Sequence, residues 1–445
     1  MKKLQYTIIA ICCLISAAAC SSYLEEDFRP DTGISNGNGN NLRPIPGKDI
    51  NEKERHVLTM YLAGFNSLYG YLKADIEDIT QGWLPRNSPN DNVLLIYSHL
   101  AEKGNYNKPV SPVLIRVTRD EYDESKPVLD TLVVYDKNTI SSSPEQFNAV
   151  LSYVKESFDA DHYGLIISSH STGYLPAGYT SNTKAMMYSG RMNTDYYSSV
   201  AVPYTEFTRD SYSPEVKSIC SDREGSISHE MELTDFAESI PFKLDYILFD
   251  TCLMGGIEVA YELKDKCDLI AFSQTEILAE GFNYKTLTSH LLENEEPAPI
   301  EVCKDYFEYY DAQTGIERSA TISLIDCNGL DKLAKTCKEI FANNRKGLDT
   351  INCNSVQGYY DHGWHWFYDL EDTVVKAGAS ETELNALREA LDDCVIYKAH
   401  TPSFLGKFRI TTHSGFSMFI PANGSAYLKE FYKSLKWNEA TSLVD

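Results

Sequence analysis

The chain has 445 residues, 43% hydrophobic and 12% aromatic, enough to bury a large core in one big domain or two. Its 64 acidic side chains against 40 basic ones leave a formal charge of −24. That balance argues against a nucleic-acid partner, because phosphate binding needs clustered Lys and Arg; diffuse acidity suits solubility or basic partners.

The N-terminus reads as a targeting segment. Lys2 and Lys3 form a charged head, Leu4 to Ala18 is apolar, and Ala17-Ala18-Ala19-Cys20 puts small residues at a cleavage point. The apolar run is too short and too sharply ended for a spanning helix. Small residues leading directly into a cysteine resemble a bacterial lipobox. The resemblance implies a signal peptide over residues 1–19, acylation of the Cys20 thiol and amine, and a lipid anchor in the cell envelope. The alternative is a soluble secreted protein with a chance cysteine. Glu25-Glu26-Asp27 resembles surface-export signals of some Gram-negative lipoproteins, which points to the outer membrane with surface exposure. Residues 20–54 read as a flexible tether, with Gly, Asn and Ser alternating from Gly33 to Asn41, then Pro44, Pro46 and Gly47. Of eleven cysteines, the eight beyond Cys20 are scattered and include no C-x-x-C pair, so a zinc ribbon or thioredoxin-type site is not indicated. One or two disulfides remain open outside the cytoplasm.

From His56 onward, short apolar runs end at turn signals: Val57–Ala63, Val93–Tyr97, Val113–Val117, Gly164–Ser169, Tyr246–Phe249 and Leu269–Phe272. Runs of this length that do not alternate suit strands buried on both faces. Between them lie helical stretches at Leu68–Ile79, Pro144–Phe158 (with Ser143 as N-cap and Pro144 in the first turn), Phe236–Ile240 and Gly256–Leu263. Alternating strands and helices predict an α/β sandwich around a mostly parallel sheet. In such sheets, functional groups gather beyond the carboxyl ends of the strands.

Two of those ends carry chemistry. The fourth run closes on Ser168-Ser169-His170-Ser171-Thr172-Gly173, and the fifth on Asp250-Thr251-Cys252-Leu253-Met254-Gly255-Gly256. On neighbouring strands, His170 and Cys252 would share one edge of the sheet, where an imidazole can take the thiol proton or protonate a leaving amine. Backbone N–H groups in the turn after Cys252 would face a tetrahedral oxyanion. Spacing alone leaves the bland reading open, in which His170 is structural and Cys252 is inert core.

The residues themselves narrow this. Tyr163–Tyr174 (YGLIISSHSTGY) together with Asp245–Leu263 (DYILFDTCLMGGIEVAYEL) resembles the clostripain family of cysteine peptidases, which shares a caspase-like fold. Tyr61–Leu68 with Ala74-Asp75-Ile76, Ser273–Glu276 through Gly281–Tyr284, Ser323–Asp326, and Ser414–Pro421 are similar to further family segments in the expected order. The resemblance runs from about His56 to the C-terminus. It implies a three-layer αβα sandwich, with a caspase-like core over about 55–330 and a C-terminal α/β extension over about 331–445. It also implies an endopeptidase acting on protein or peptide substrates through a Cys–His dyad and a thioester acyl-enzyme. His170 would be the catalytic histidine, Cys252 the nucleophile, and the backbone N–H groups of Ser171 and Cys252 the oxyanion hole. Asp250 matches the acid that binds a basic P1 side chain, giving cleavage after Arg or Lys; the competing reading of Asp250 is an acid capping the next helix.

Ser171 departs from the glycine usual after the histidine and resists a positive φ that glycine accepts, so the hole would be intact, altered or absent. Tyr174 stands where the family usually has Trp. Self-cleavage between histidine and cysteine, known in some members, would fall at Lys184 in the polar, Tyr-rich stretch Ser181–Ser199. No cofactor is indicated, although calcium-dependent relatives draw attention to Asp91, Asp120, Glu121 and Asp123; no D-x-D-x-D-G loop is present. Asp361-His362-Gly363-Trp364-His365 lacks zincin spacing and reads as packing, and His413-Ser414-Gly415 is not a G-x-S-x-G elbow. Two alternatives to the peptidase stand: a catalytically impaired pseudopeptidase that binds protein or peptide at the cell surface, and a glycan-capturing lipoprotein, for which no paired-carboxylate pattern stands out.

Overall fold

A computed structural model describes residues 55–88, 91–103, 105–179, 219–224, 227–359 and 366–445. Cys20, Lys184 and the Asp361–His365 segment lie outside these residues.

In chain order, β1 (His56–Gly64) leads to α1 (Tyr69–Gln81) and β2 (Val93–Glu102), then to three strands, β3 (Asn105–Pro109), β4 (Val113–Arg119) and β5 (Pro127–Val134). Next come α2 (Pro144–Ser157), β6 (His162–Ser168), the hairpin β7 (Ile219–Glu224) and β8 (Ile227–Met231), α3 (Leu233–Ser239) and β9 (Leu244–Asp250). The chain continues through α4 (Ile257–Leu263), β10 (Cys267–Phe272), α5 (Tyr284–Thr288), α6 (Pro299–Asp311) and β11 (Thr321–Asp326). Beyond these lie α7 (Leu330–Asn343), a short β12 (Tyr368–Asp369) and β13 (Val395–His400).

The main sheet has the order β13-β11-β10-β9-β6-β1-β2-β4-β5. Its centre, β10-β9-β6-β1-β2, is parallel throughout, and the flanking strands pair antiparallel. Parallel central strands need both faces covered, and the side chains comply. Val57, Tyr61, Leu165, Ile167, Ile247 and Phe249 belong to one core. Leu58, Met60, Ile166, Tyr246 and Leu248 belong to the other. Phe147, Val150 and Val154 of α2, Phe236 of α3, Ile257 of α4 and Leu333 of α7 close the first face. Leu72, Ile76 and Ile79 of α1, Tyr284 of α5 and Tyr306 of α6 close the second. The result is the three-layer αβα sandwich expected.

Helix starts follow local chemistry: the Ser143 hydroxyl accepts from the N–H of Gln146 at 3.2 Å, with Pro144 in the first turn. Residues after 330 add β13 to the main sheet beside β11, and Phe416, Met418 and Trp437 join the first core. Glu258, fully buried on α4, accepts from the Phe419 N–H at 2.8 Å and the Tyr432 hydroxyl at 2.7 Å, pinning this C-terminal part to the helix that follows Cys252. Among the described residues no helix is long and apolar enough to cross a membrane.

Candidate active site

The site is set by strand register. In the parallel pair β6–β9, Ser168 lies opposite Asp250. His170 follows Ser168 by two residues and Cys252 follows Asp250 by two, so the imidazole and the thiol emerge at the same level from adjacent strand ends. Both are buried, His170 1% and Cys252 6% exposed.

The turns holding them are locked to each other. The Ser171 hydroxyl donates to the carbonyl oxygen of Cys252, a tie that glycine could not make. Gly173 has φ +61°, and a Cβ there would fall 2.5 Å from the Leu253 carbonyl oxygen, so this close approach of the two turns requires glycine. Leu253 itself has φ +62°, an unusual conformation for a branched residue and the mark of a sharply turned loop. The non-glycine residues with positive φ among those described are Cys220, Leu253, Leu405 and Ser442. Ser171 is not one of them, so its position does not demand glycine.

Around the thiol, Ile277 donates its N–H to Sγ at 3.4 Å. Burial, followed by the charge of Glu276, pushes the Cys252 thiol well above its ordinary value, so the resting sulfur is protonated. On the histidine side, Ser67 Oγ lies 3.0 Å from His170 Nε2. Ser67 comes from the loop between β1 and α1; no motif singled it out, because only the fold brings that loop to the end of β6. The hairpin β7–β8 was also illegible in the sequence. It lies across the same edge, with the Ser221 N–H on Ser169 Oγ at 3.1 Å and the Arg223 N–H on the Phe65 carbonyl at 2.7 Å.

Asp250 does not cap the following helix, whose N-cap is Gly256 with no side-chain bond. Its Oδ2 instead accepts from the Tyr284 hydroxyl at 2.5 Å and the Ser168 hydroxyl at 3.4 Å. The Phe282 N–H also donates to it. Gly281, at φ +62°, makes room for the carboxylate: a Cβ there would sit 2.3 Å from Asp250 Oδ2. Burial raises Asp250 above the usual carboxylate range despite these donors.

Two of the acids considered for calcium accept turn hydrogen bonds. Asp120 Oδ1 accepts from the N–H groups of Tyr122 and Asp123, and Asp91 accepts from those of Arg86 and Asn92. His413 bonds Gln274 Oε1 at 2.7 Å, and the Ser414 N–H bonds Asp369, so that segment is structural. The eight described cysteines are free thiols, with Cys267 and Cys327 Sγ 4.0 Å apart.

Known proteins match the chain over most of its length. The profile of the clostripain family matches residues 60–199 and 205–443. Clostripain of Hathewaya histolytica is 22% identical, over 95% of this chain and 86% of that protein. The crystal structure of an inactive zymogen C11 protease from Parabacteroides distasonis superposes with a TM-score of 0.69 at 26% identity, covering 88% of this chain and 99% of that one. A secreted C11 cysteine protease from Bacteroides thetaiotaomicron, solved with an irreversible peptide inhibitor, gives 0.66 at 22% identity over 88% and 99%. The chain belongs to the clostripain family of cysteine endopeptidases.

Proposed function

We propose that the chain is a lipid-anchored endopeptidase that cuts after Arg or Lys, with Cys252 as nucleophile and His170 as its acid–base partner. The observation that supports this reading is the Ser168–Asp250 register, which brings the strand ends leading to His170 and Cys252 to the same level of the sheet's carboxyl edge.

Because the resting thiol is protonated, the reaction starts with proton transfer. His170 takes the Sγ proton as the sulfur attacks the scissile carbonyl, forming the S–C bond and a tetrahedral oxyanion. The backbone N–H groups of Ser171 and Cys252 would be the donors to that oxygen, on two turns that the Ser171 hydroxyl ties together. The imidazolium then gives its proton to the leaving amine, the C–N bond breaks and a thioester remains. Water, deprotonated by His170, hydrolyses the thioester and restores the thiol. Asp250, buried and without a cation among the described residues, supplies the charge complement for a basic P1 side chain. Acylation at Cys20 would tether the domain to the envelope through residues 21–54, and Lys184 is the proposed self-cleavage point.

The test is a fluorogenic peptide panel varied at P1, on protein lacking residues 1–54 and on its Cys252→Ala variant. Turnover confined to Arg or Lys and lost in the variant supports the reading. No turnover after mild nicking and added calcium would favour a surface binding protein. Metabolic labelling with a palmitate analogue, lost in Cys20→Ala, tests the anchor.

A further inference from the structure

We propose that Asp75 is a second acid of the P1 pocket, meeting an arginine side chain together with Asp250 and setting a preference for Arg over Lys. The inference rests on the basic-P1 reading of Asp250.

Asp75 sits on the inward face of α1 with Leu72, Ile76 and Ile79 and is 6% exposed. Those neighbours share a core with Phe282 and Tyr284, both of which donate to Asp250. Among the described residues the Asp75 carboxyl has neither a hydrogen bond nor an ion pair. A carboxyl placed so among apolar side chains is costly to the fold. A packing role would be served as well by Leu or Asn.

The two acids act on each other. Burial raises Asp75 first, then the charge of Asp250, with Asp78 and Glu280 adding to it. The Tyr284 phenol, bonded to Asp250 Oδ2 and to Ser168 Oγ at 2.8 Å, feels the charge of both. The two carboxyls therefore resist being ionised together, and a cation entering between them would favour the ionised form of both. Guanidinium suits two carboxylates better than ammonium does: it presents five N–H donors along separate edges, so one acid can take the terminal fork and the other a second edge. With Asp250 alone, Arg and Lys are separated only by pocket depth.

The test is Asp75→Asn, which keeps shape and removes the ionisable group. In the otherwise unaltered protein we expect kcat/KM for an Arg-P1 peptide to fall at least tenfold, and the Arg-to-Lys ratio to move toward one, with the melting temperature unchanged or higher. In the Cys252→Ala background, calorimetric affinity for agmatine, an arginine side-chain mimic, should fall by a similar factor, and that for n-butylamine by less. Parent-like agmatine affinity and Arg-to-Lys ratio in Asp75→Asn would overturn the proposal while leaving Asp250 as the P1 acid. If the parent neither binds agmatine nor cleaves after basic residues, the basic-pocket reading falls and this inference falls with it. The Arg-to-Lys ratio cancels the folded fraction and the calorimetric affinity is read apart from stoichiometry, so partial unfolding of the variant does not obscure them.

Discussion

Ser67 Oγ stands 3.0 Å from Nε2 of His170, so one ring nitrogen of the proposed acid–base residue is engaged by a side chain from a different strand end. A hydroxyl can accept from Nε2–H or donate to bare Nε2. It therefore follows the ring through both protonation states and holds its plane while Nδ1 changes role.

Ser67 is then a positioning residue. In Ser67→Ala the ring gains rotational freedom, and we expect kcat to fall about tenfold, equivalent to about 1.4 kcal/mol of barrier, with KM little changed. Ser67→Thr should recover most of the loss. Steady-state kinetics on an Arg-P1 peptide reads both, and a purely structural role for Ser67 would instead show as a shift in melting temperature with kcat intact.

Ser171 invites a different experiment, because its hydroxyl bonds the Cys252 carbonyl while its backbone does not need a positive φ. Ser171→Gly keeps the N–H but loosens the link between the turns. One buried neutral hydrogen bond corresponds to about 1 kcal/mol of stability. We expect a lower melting temperature and a kcat reduced about three- to tenfold. A more active glycine variant would mean that serine impairs the oxyanion site.

Much of this arrangement was legible in the chain itself. The buried strands announced themselves because β-branched runs such as Leu165-Ile166-Ile167 must be covered on both faces, and the parallel order then forced His170 and Cys252 to one edge. What escaped was non-local or half-exposed. Strand β5 alternates intermediate and exposed positions along the sheet's edge, so it carries no buried run. The Ser414–Pro421 segment, quoted for its family likeness, contributes only Ser417–Met418 to a short antiparallel pair with β12, because its backbone donors go elsewhere: the Ser414 N–H to Asp369 and the Phe419 N–H to Glu258. Ser67 and Asp75 lie in quoted family-like segments, but their roles depend on which strand ends the fold brings together.

The buried Glu258 gives a pH test of how the C-terminal part is held. Burial raises its carboxyl to about 7, against about 4.3 in an unfolded chain. Between those values the folded protein keeps a proton that the unfolded chain releases, so this group's contribution to stability falls as pH rises through the window, by up to about 4 kcal/mol. Glu258→Gln removes the titration and retains an acceptor for the Phe419 N–H and Tyr432 hydroxyl. The melting temperature of the variant relative to the parent should therefore climb from pH 5 to pH 8. A difference that stays flat across that range would mean that Glu258 does not titrate there.

Gly281 links the fold most directly to specificity. Its φ of +62° lies in the left-handed region, and the place of a Cβ is 2.3 Å from one oxygen of Asp250 and 2.8 Å from the other. Gly281→Ala must therefore meet two costs, about 1 kcal/mol or more for the backbone and the displacement of a carboxylate held by Tyr284, Ser168 and Phe282. The Tyr310 hydroxyl also bonds the Gly281 carbonyl at 3.1 Å, so the loop has little freedom to retreat. The carboxylate is the softer partner and should move, tilting away from the line along which a P1 cation enters. We expect kcat/KM for Arg-P1 and Lys-P1 peptides to fall at least tenfold, mostly through KM, while alkylation of Cys252 by iodoacetamide proceeds at the parent rate because the thiol's own contacts are to Ile277. If alkylation slows in step with turnover, the substitution has disturbed the nucleophile's turn rather than the pocket, and Asp250 would have to be tested through Asp250→Asn alone.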